Sequence, residues 1–324
     1  MNLMEFETKQ GDNCVLGNLY NTLKYYHTDI EEYHLFFWCS AFLGDRKLNQ
    51  VFHMFYDMNS EESWIDYAEK KIGEGKPVLI NIDPKILSYI HLSVGDTSRK
   101  HFVNLIGIDK EKAQVLVSDS YIPTFKPSVH KGWVKYENWS ADDIENSWAI
   151  NEEVLSFFQN EITAKELRLI TLYWAVKRVE EFLEKGNGIL TGEEILKKRK
   201  MTFVDCISAN RYDEVFTHLA GMRINIMNPL KYLAELLGTD EADCREFEGR
   251  VRELFKDGWE KLNARLVKYA LAHKKLDVEG VYQEFDRLID WEINLLKDFV
   301  AVFREKAALA ESVPIMKRFE SFLF

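Results

Sequence analysis

Two apolar periods run through this chain, and they change over near residue 150. After the cap-like pair Asp12-Asn13, Leu16, Leu19, Leu23 and Tyr26 recur at helical spacing. Thr28-Asp29-Ile30-Glu31 has the form of a capping box and predicts a second helix running to Leu43-Gly44. A third is predicted over Ser60 to Ile72. The period then shortens. Pro77 to Ile82, Phe102 to Ile108, Val115 to Val117 and Trp133 to Tyr136 are short, β-branched or aromatic runs that predict strands. Helices followed by an antiparallel sheet make the first half α+β.

From residue 151 onward the pattern is helix after helix. Helices are predicted over Glu152 to Glu184, Gly192 to Lys200, Val204 to Leu219, Pro229 to Leu237, Glu241 to His273 and Val278 to Ala310. Gly186-Asn187-Gly188 marks a stop, Asn228-Pro229 reads as N-cap and N1, and Asp277 as an N-cap. The Leu, Phe and Trp stripes read as the core of a helical bundle. The expected organisation is an α+β domain over residues 1–150 and an all-α domain over residues 151–324.

Composition narrows the function. Hydrophobic residues at 46% and charged residues at 29% exclude a disordered or low-complexity chain. A net charge of −11, with the acidic excess shared by both halves, argues against a nucleic-acid footprint. Apolar runs such as Leu35 to Trp38 are too short to span a bilayer, and residues 1–11 lack the basic and apolar regions of a signal peptide, so a cytoplasmic protein without membrane partners is expected. Cys14, Cys39, Cys206 and Cys244 are scattered, and His27, His34, His53, His91, His130, His218 and His273 show no metal-ligand spacing, so neither a disulfide framework nor a metal is expected.

One thiol stands apart. Cys14 falls in the first turn of the first predicted helix, where unpaired N–H groups and the helix dipole favour an anion and can also hold an oxyanion. Cys39, Cys206 and Cys244 lie within helical patterns and read as core or surface residues. Downstream, His101 to Ile108 and Gln114 to Asp119 flank the turn-like Asp109-Lys-Glu-Lys112. In a hairpin centred there, paired positions add to about 220, which sets His101 opposite Asp119 at roughly 5 Å between Cβ atoms. A slip of one residue would turn one of the pair to the other face.

A Cys at a helix start, then a His on one strand and an Asp on the next, is the papain-like order. The chain is similar, over about residues 10–150, to the N-terminal domain of the butirosin biosynthesis protein H family. The residues that carry the likeness are Asn13-Cys14, Leu19-Tyr-Asn-Thr-Leu-Lys-Tyr-Tyr26, Asp29-Ile-Glu-Glu32, Gly75-Lys-Pro-Val-Leu-Ile-Asn-Ile-Asp83, His101-Phe-Val-Asn-Leu-Ile-Gly107 and Val117-Ser-Asp119. That family also has a helical region after its papain-like domain. The resemblance implies an acyltransferase of natural-product assembly. An acyl group on the phosphopantetheine arm of an acyl or peptidyl carrier protein moves to Cys14 and then to a small-molecule amine, with His101 as base and acid and Asp119 as its orienter. No bound cofactor is implied, and a homodimer is entertained.

Papain-like peptidases place a Gln further upstream of the Cys than Gln10 stands here, which counts against peptidase activity. Gln10, Asn13 or the Cys14 amide is the candidate oxyanion donor. Asp83 and Tyr89 occupy a substrate-facing segment of the family, although Asp83-Pro84 also reads as an ordinary turn. Lys197-Lys198-Arg199-Lys200 is the densest basic run and is a candidate carrier dock, or simply basic residues favouring a helix C-terminus. Two further readings stay open: a papain-like peptidase or amidase using the same triad, and a non-catalytic binding protein on the same fold.

Overall fold

The computed structural model describes residues 2–39, 54–59, 62–90, 101–122, 128–186, 188–239, 241–273 and 276–323. The expected helix beyond Cys39, together with Ser60, His53, His91 and Pro123, lies outside the described residues. The chain divides into two compact units. One comprises Met1–Leu35, Asn49–Ile162 and Glu320–Phe324; the other comprises Phe36–Leu48 and Thr163–Phe319. The division falls after Ile162 rather than at residue 150, and neither unit is continuous in sequence.

The first unit is built on a six-stranded antiparallel sheet. Its strands are β1 (Tyr56–Asn59), β2 (Val78–Ile82), β3 (His101–Asp109), β4 (Gln114–Ile122), β5 (Ser128–Lys135) and β6 (Ile144–Ile150), in the order β1-β6-β2-β3-β4-β5. The four expected strands are present. β1 and β6 are additions. In β6, Glu145, Asn146 and Ser147 dilute the β signal, and it forms because it pairs on both sides with strands distant in sequence.

Helix α1 (Cys14–Tyr25) packs on β3 and β4 over one face, beside a small cluster of Leu3, Phe6, Ile106 and Leu116. Helix α3 (Trp64–Gly73) covers the other face, where Tyr67 and Ala68 meet Val78, Ile80, Val103, Leu105, Val115 and Val117. Alternation along β3 and β4 sends Ile106 and Leu116 one way and their neighbours the other, as a sheet covered on both faces requires. Between them, α2 spans Glu32–Cys39. The Thr28 box does not open it. The Thr28 hydroxyl donates back to the Leu23 carbonyl, and the Glu31 N–H is taken by His34 Nδ1.

The expected helix over residues 152–184 is broken. Helix α4 (Glu152–Asn160) ends, and a reciprocal Thr163–Glu166 capping box opens α5 (Ala164–Lys185). The second unit continues with α6 (Gly192–Ser208), α7 (Tyr212–Met222), α8 (Asn228–Leu237), α9 (Ala242–Glu253), α10 (Lys261–Ala272) and α11 (Val278–Ala308). Helix α11 packs on α5 and α6, burying Phe285, Phe299 and Phe303. A final helix, α12 (Pro314–Leu323), follows.

Asn228 is not an N-cap. It has helical angles, and a π-helical segment, Arg223–Met227, runs from α7 straight into α8. Pro229 has no N–H to give and its ring crowds the preceding turn, and a widened turn relieves both. A second π segment, Leu254–Glu260, joins α9 to α10. Among the described residues no helix is long and apolar enough to cross a membrane.

Candidate active site

Helix α1 begins at the thiol. Asn13 is extended, and its side-chain oxygen accepts the Leu16 N–H at 2.8 Å while its carbonyl accepts that of Gly17. The N–H groups of Cys14 and Val15 therefore lie outside the ladder of the helix itself. Cys14 is partly exposed, whereas Cys206 and Cys244 are buried.

The helix lies unusually close to the sheet. A Cβ on Gly17 would fall 2.5 Å from Ser120 Oγ, and one on Gly11 would fall 2.4 Å from the Gly17 Cα. The Gly11 N–H donates to the Ser120 carbonyl at 2.9 Å, tying the approach to α1 onto β4. Two residues without Cβ atoms thus bring the thiol down to the end of the sheet.

There, His101 opens β3 and is buried. Its Nε2 donates to Asp119 Oδ2 at 2.7 Å, and the Cys14 side chain lies near enough to its ring to raise its hold on a proton. With Nε2 engaged by Asp119, Nδ1 is the nitrogen left for the thiol. Burial works against a charged imidazole, but the bond to Asp119 and the nearby Cys14 side chain outweigh it and hold His101 raised, at about 10. Asp119 is completely buried and accepts from His101, from the Tyr89 hydroxyl at 3.1 Å and from the Tyr121 N–H at 3.0 Å. Cys14, His101 and Asp119 are thus brought together, the arrangement that a thiol nucleophile, a base and an orienting carboxylate require.

The route to that contact differs from the expected register. Near the turn, Ile108 pairs with Val115; beyond a bulge between Leu105 and Gly107, Leu105 pairs with Val117 and Asn104 with Ser118. Carried onward, that register sets Tyr121, not Asp119, opposite His101. The two side chains meet diagonally. A shift of two residues keeps the same face, and the bulge supplies the one-residue correction that makes the shift even.

The remaining candidates separate. Tyr89 lies at the site, but against Asp119 and stacked on His130 with ring centres 3.8 Å apart and an interplanar angle of 6°. Burial and the Asp119 charge push its phenol far above the usual range, so it serves as a donor. Asp83 accepts the Lys85 N–H and caps the turn Pro84–Ile86. Asn13 spends its side-chain oxygen on the helix cap, and Gln10 is exposed.

The basic run is not one surface patch. Successive helical residues turn through 100°, so α6 exposes Lys197 and Lys198 and carries the next two inward. Arg199 donates to the Gly221 carbonyl, and Lys200 is buried against Asp286 and Tyr282. Lys197 pairs with Glu193 on its own helix.

The fold also assembles Cys206, Glu214 and His218, whose ligand-type atoms lie within 4.8 Å of one another. Sequence spacing does not reveal this group because Cys206 is on α6 and the others on α7. Glu214 is taken by Arg211, and burial pushes the Cys206 thiol up, toward its neutral form.

Asn18 lies off the Leu16-Leu19-Leu23 stripe and carries no signal in the sequence; its complete burial beneath the site is what marks it.

Residues 6–154 match the sequence model of the Peptidase_C39 like family. No curated protein matches the chain. The match carries the papain-like part of the expected resemblance and does not extend to the butirosin biosynthesis protein H family. The matched region is a papain-like, cysteine-peptidase-related domain, and the match ends at the start of α4.

Proposed function

We propose that this protein is a cysteine-dependent acyltransferase that passes an acyl group from a carrier-protein thioester, through acyl-Cys14, to an amine. The observation that carries the reading is the chain of contacts from Cys14 to His101 and from His101 to Asp119. The steps follow from those positions. The Cys14 thiolate attacks the donor carbonyl, and the Cys14 amide at the helix start binds the oxyanion. Collapse of the tetrahedral intermediate breaks the donor C–S bond, and the departing pantetheine thiol takes the proton held by His101. An amine then attacks the acyl-enzyme and gives its proton to His101 Nδ1. The Cys14–acyl bond breaks, and the thiolate faces an imidazolium again. Asp119 keeps the ring turned for both transfers.

The match to a peptidase-like family favours a second reading, hydrolysis of a peptide or amide bond by the same three residues. The two differ in what discharges the acyl-enzyme. Intact-mass analysis after incubation with acyl-phosphopantetheinyl carrier protein tests them: the expected result is an acyl adduct on Cys14 that an added amine converts to amide. Discharge to the free acid at a rate indifferent to amine favours the hydrolase. Product formation by Cys14→Ala would overturn both.

A further inference from the structure

We propose that Asn18 is the positioning residue of the triad, a side-chain amide that holds Cys14, β3 and β4 in their catalytic arrangement. The inference rests on reading Cys14 as the nucleophile. Asn18 lies one turn below it on α1 and is inaccessible to solvent. Its Nδ2 donates to the carbonyl of Cys14 at 2.8 Å and to that of Phe102 at 2.6 Å, and its Oδ1 accepts the N–H of Ser120 at 3.2 Å. Phe102 follows His101, and Ser120 follows Asp119. One amide therefore touches the backbone at, or directly beside, each member of the triad, with both of its hydrogens and its oxygen engaged.

The location explains why a side chain is needed there. The β3–β4 ladder ends at Asn104 and Ser118, and the next hydrogen-bonded pair in that register would be Phe102 with Ser120. Asn18 takes the carbonyl of the first and the N–H of the second, bridging the two strands where they part. The parting is what lets His101 reach Asp119 diagonally. Asn18 is itself held by Asn104 Nδ2, which donates to the Asn18 carbonyl at 2.9 Å. A shorter side chain leaves buried backbone groups unpaired, and a longer one pushes the strands apart.

The test needs no substrate. The rate of Cys14 alkylation by iodoacetamide, followed by peptide mass mapping across pH, reports whether thiol and imidazole remain in register. Thermal unfolding of the same samples reports stability. Asn21→Ala is the control: Asn21 is buried on the same helix, but its amide bonds the Lys9 backbone and touches none of the triad.

In folded Asn18→Ala and Asn18→Ser, Cys14 alkylation at neutral pH should fall at least about 10-fold, as expected for an ångström-scale displacement, and its pH midpoint should move. Asn21→Ala should lower the melting temperature and leave the profile unchanged. A wild-type profile in either folded Asn18 variant overturns the proposal. So does loss of the fold in both while Asn21→Ala stays folded, because Asn18 would then be a stability residue only. Failure of the acyl-transfer reading appears separately, as absence of an acyl adduct in the wild-type protein.

Discussion

Tyr89 donates its hydroxyl to Oδ2 of Asp119, the same oxygen that holds His101 Nε2. The phenol ring lies flat on His130, so packing fixes the direction of that donor. Its place in the network makes Tyr89 a support for the Asp119 carboxylate. Tyr89→Phe keeps the stacking and removes one hydrogen bond to a buried charge-bearing group, a loss of about 1.5–3 kcal/mol. The expected outcome is a lower kcat with KM unchanged. Steady-state kinetics on a thioester donor decide it, since a rise in KM alone would place the hydroxyl on the substrate.

The contact between Gly17 and Ser120 leaves no room for a methyl group. A Cβ at residue 17 would meet Ser120 Oγ at 2.5 Å, the Gly11 Cα at 2.8 Å and Ser120 Cβ at 2.9 Å. Gly17→Ala must therefore lift α1 from β4, at a cost of about 1–3 kcal/mol. Urea unfolding should show that loss, with slower Cys14 alkylation. Gly73, the last residue of α3, has nothing within 4 Å of an added Cβ. Gly73→Ala should be neutral or gain up to about 1 kcal/mol, which makes it the matched comparison.

His101 links the site to stability across pH. Its raised value in the folded protein, about 10, exceeds the ordinary 6.5 of an unfolded histidine, so the folded state holds the proton more tightly. The resulting stabilisation is complete below about pH 6.5 and is lost as pH rises through about 10. Chemical denaturation of wild type and His101→Gln at pH 6, 8 and 10 should show the difference between them shrinking as pH rises. A difference that stays constant would mean that His101 titrates alike in both states.

In the helical unit, burial pushes the Glu292 carboxyl up to about 8, against the opposing pull of the Trp259 N–H at 2.6 Å and the charge of Arg199. Its folded value is above the unfolded one, so the stability it contributes is present below about pH 4.5 and fades as pH rises through about 8. Glu292→Gln retains an acceptor for Trp259 and removes the titration. The variant should match wild type near pH 5 and exceed it at pH 9 in urea unfolding. Equal pH dependence in the two proteins would exclude Glu292 as the source.

What the chain declares on its own is local. The start of α1 was legible because Asn13 has the side chain of an N-cap and the apolar stripe follows it at once, and that alone singled out Cys14. The β3–β4 hairpin was legible because a polar turn separates two β-branched runs, and proximity in sequence brought His101 and Asp119 within reach. Such features depend on hydrogen bonds and side-chain periods within a few residues. Tertiary structure decided the rest. The bulge that makes the His101–Asp119 contact diagonal, the place of β6 between β1 and β2, and the inward turn of Lys200 each depend on what packs against them. Asn18 is the clearest case. In the chain it is one more polar residue on a helix, and only the approach of Phe102 and Ser120 from more than 80 positions away gives its amide two of the three backbone groups it holds. Local propensity is set by neighbours in sequence, but a buried hydrogen-bonding group acquires its role from partners that the fold alone brings near.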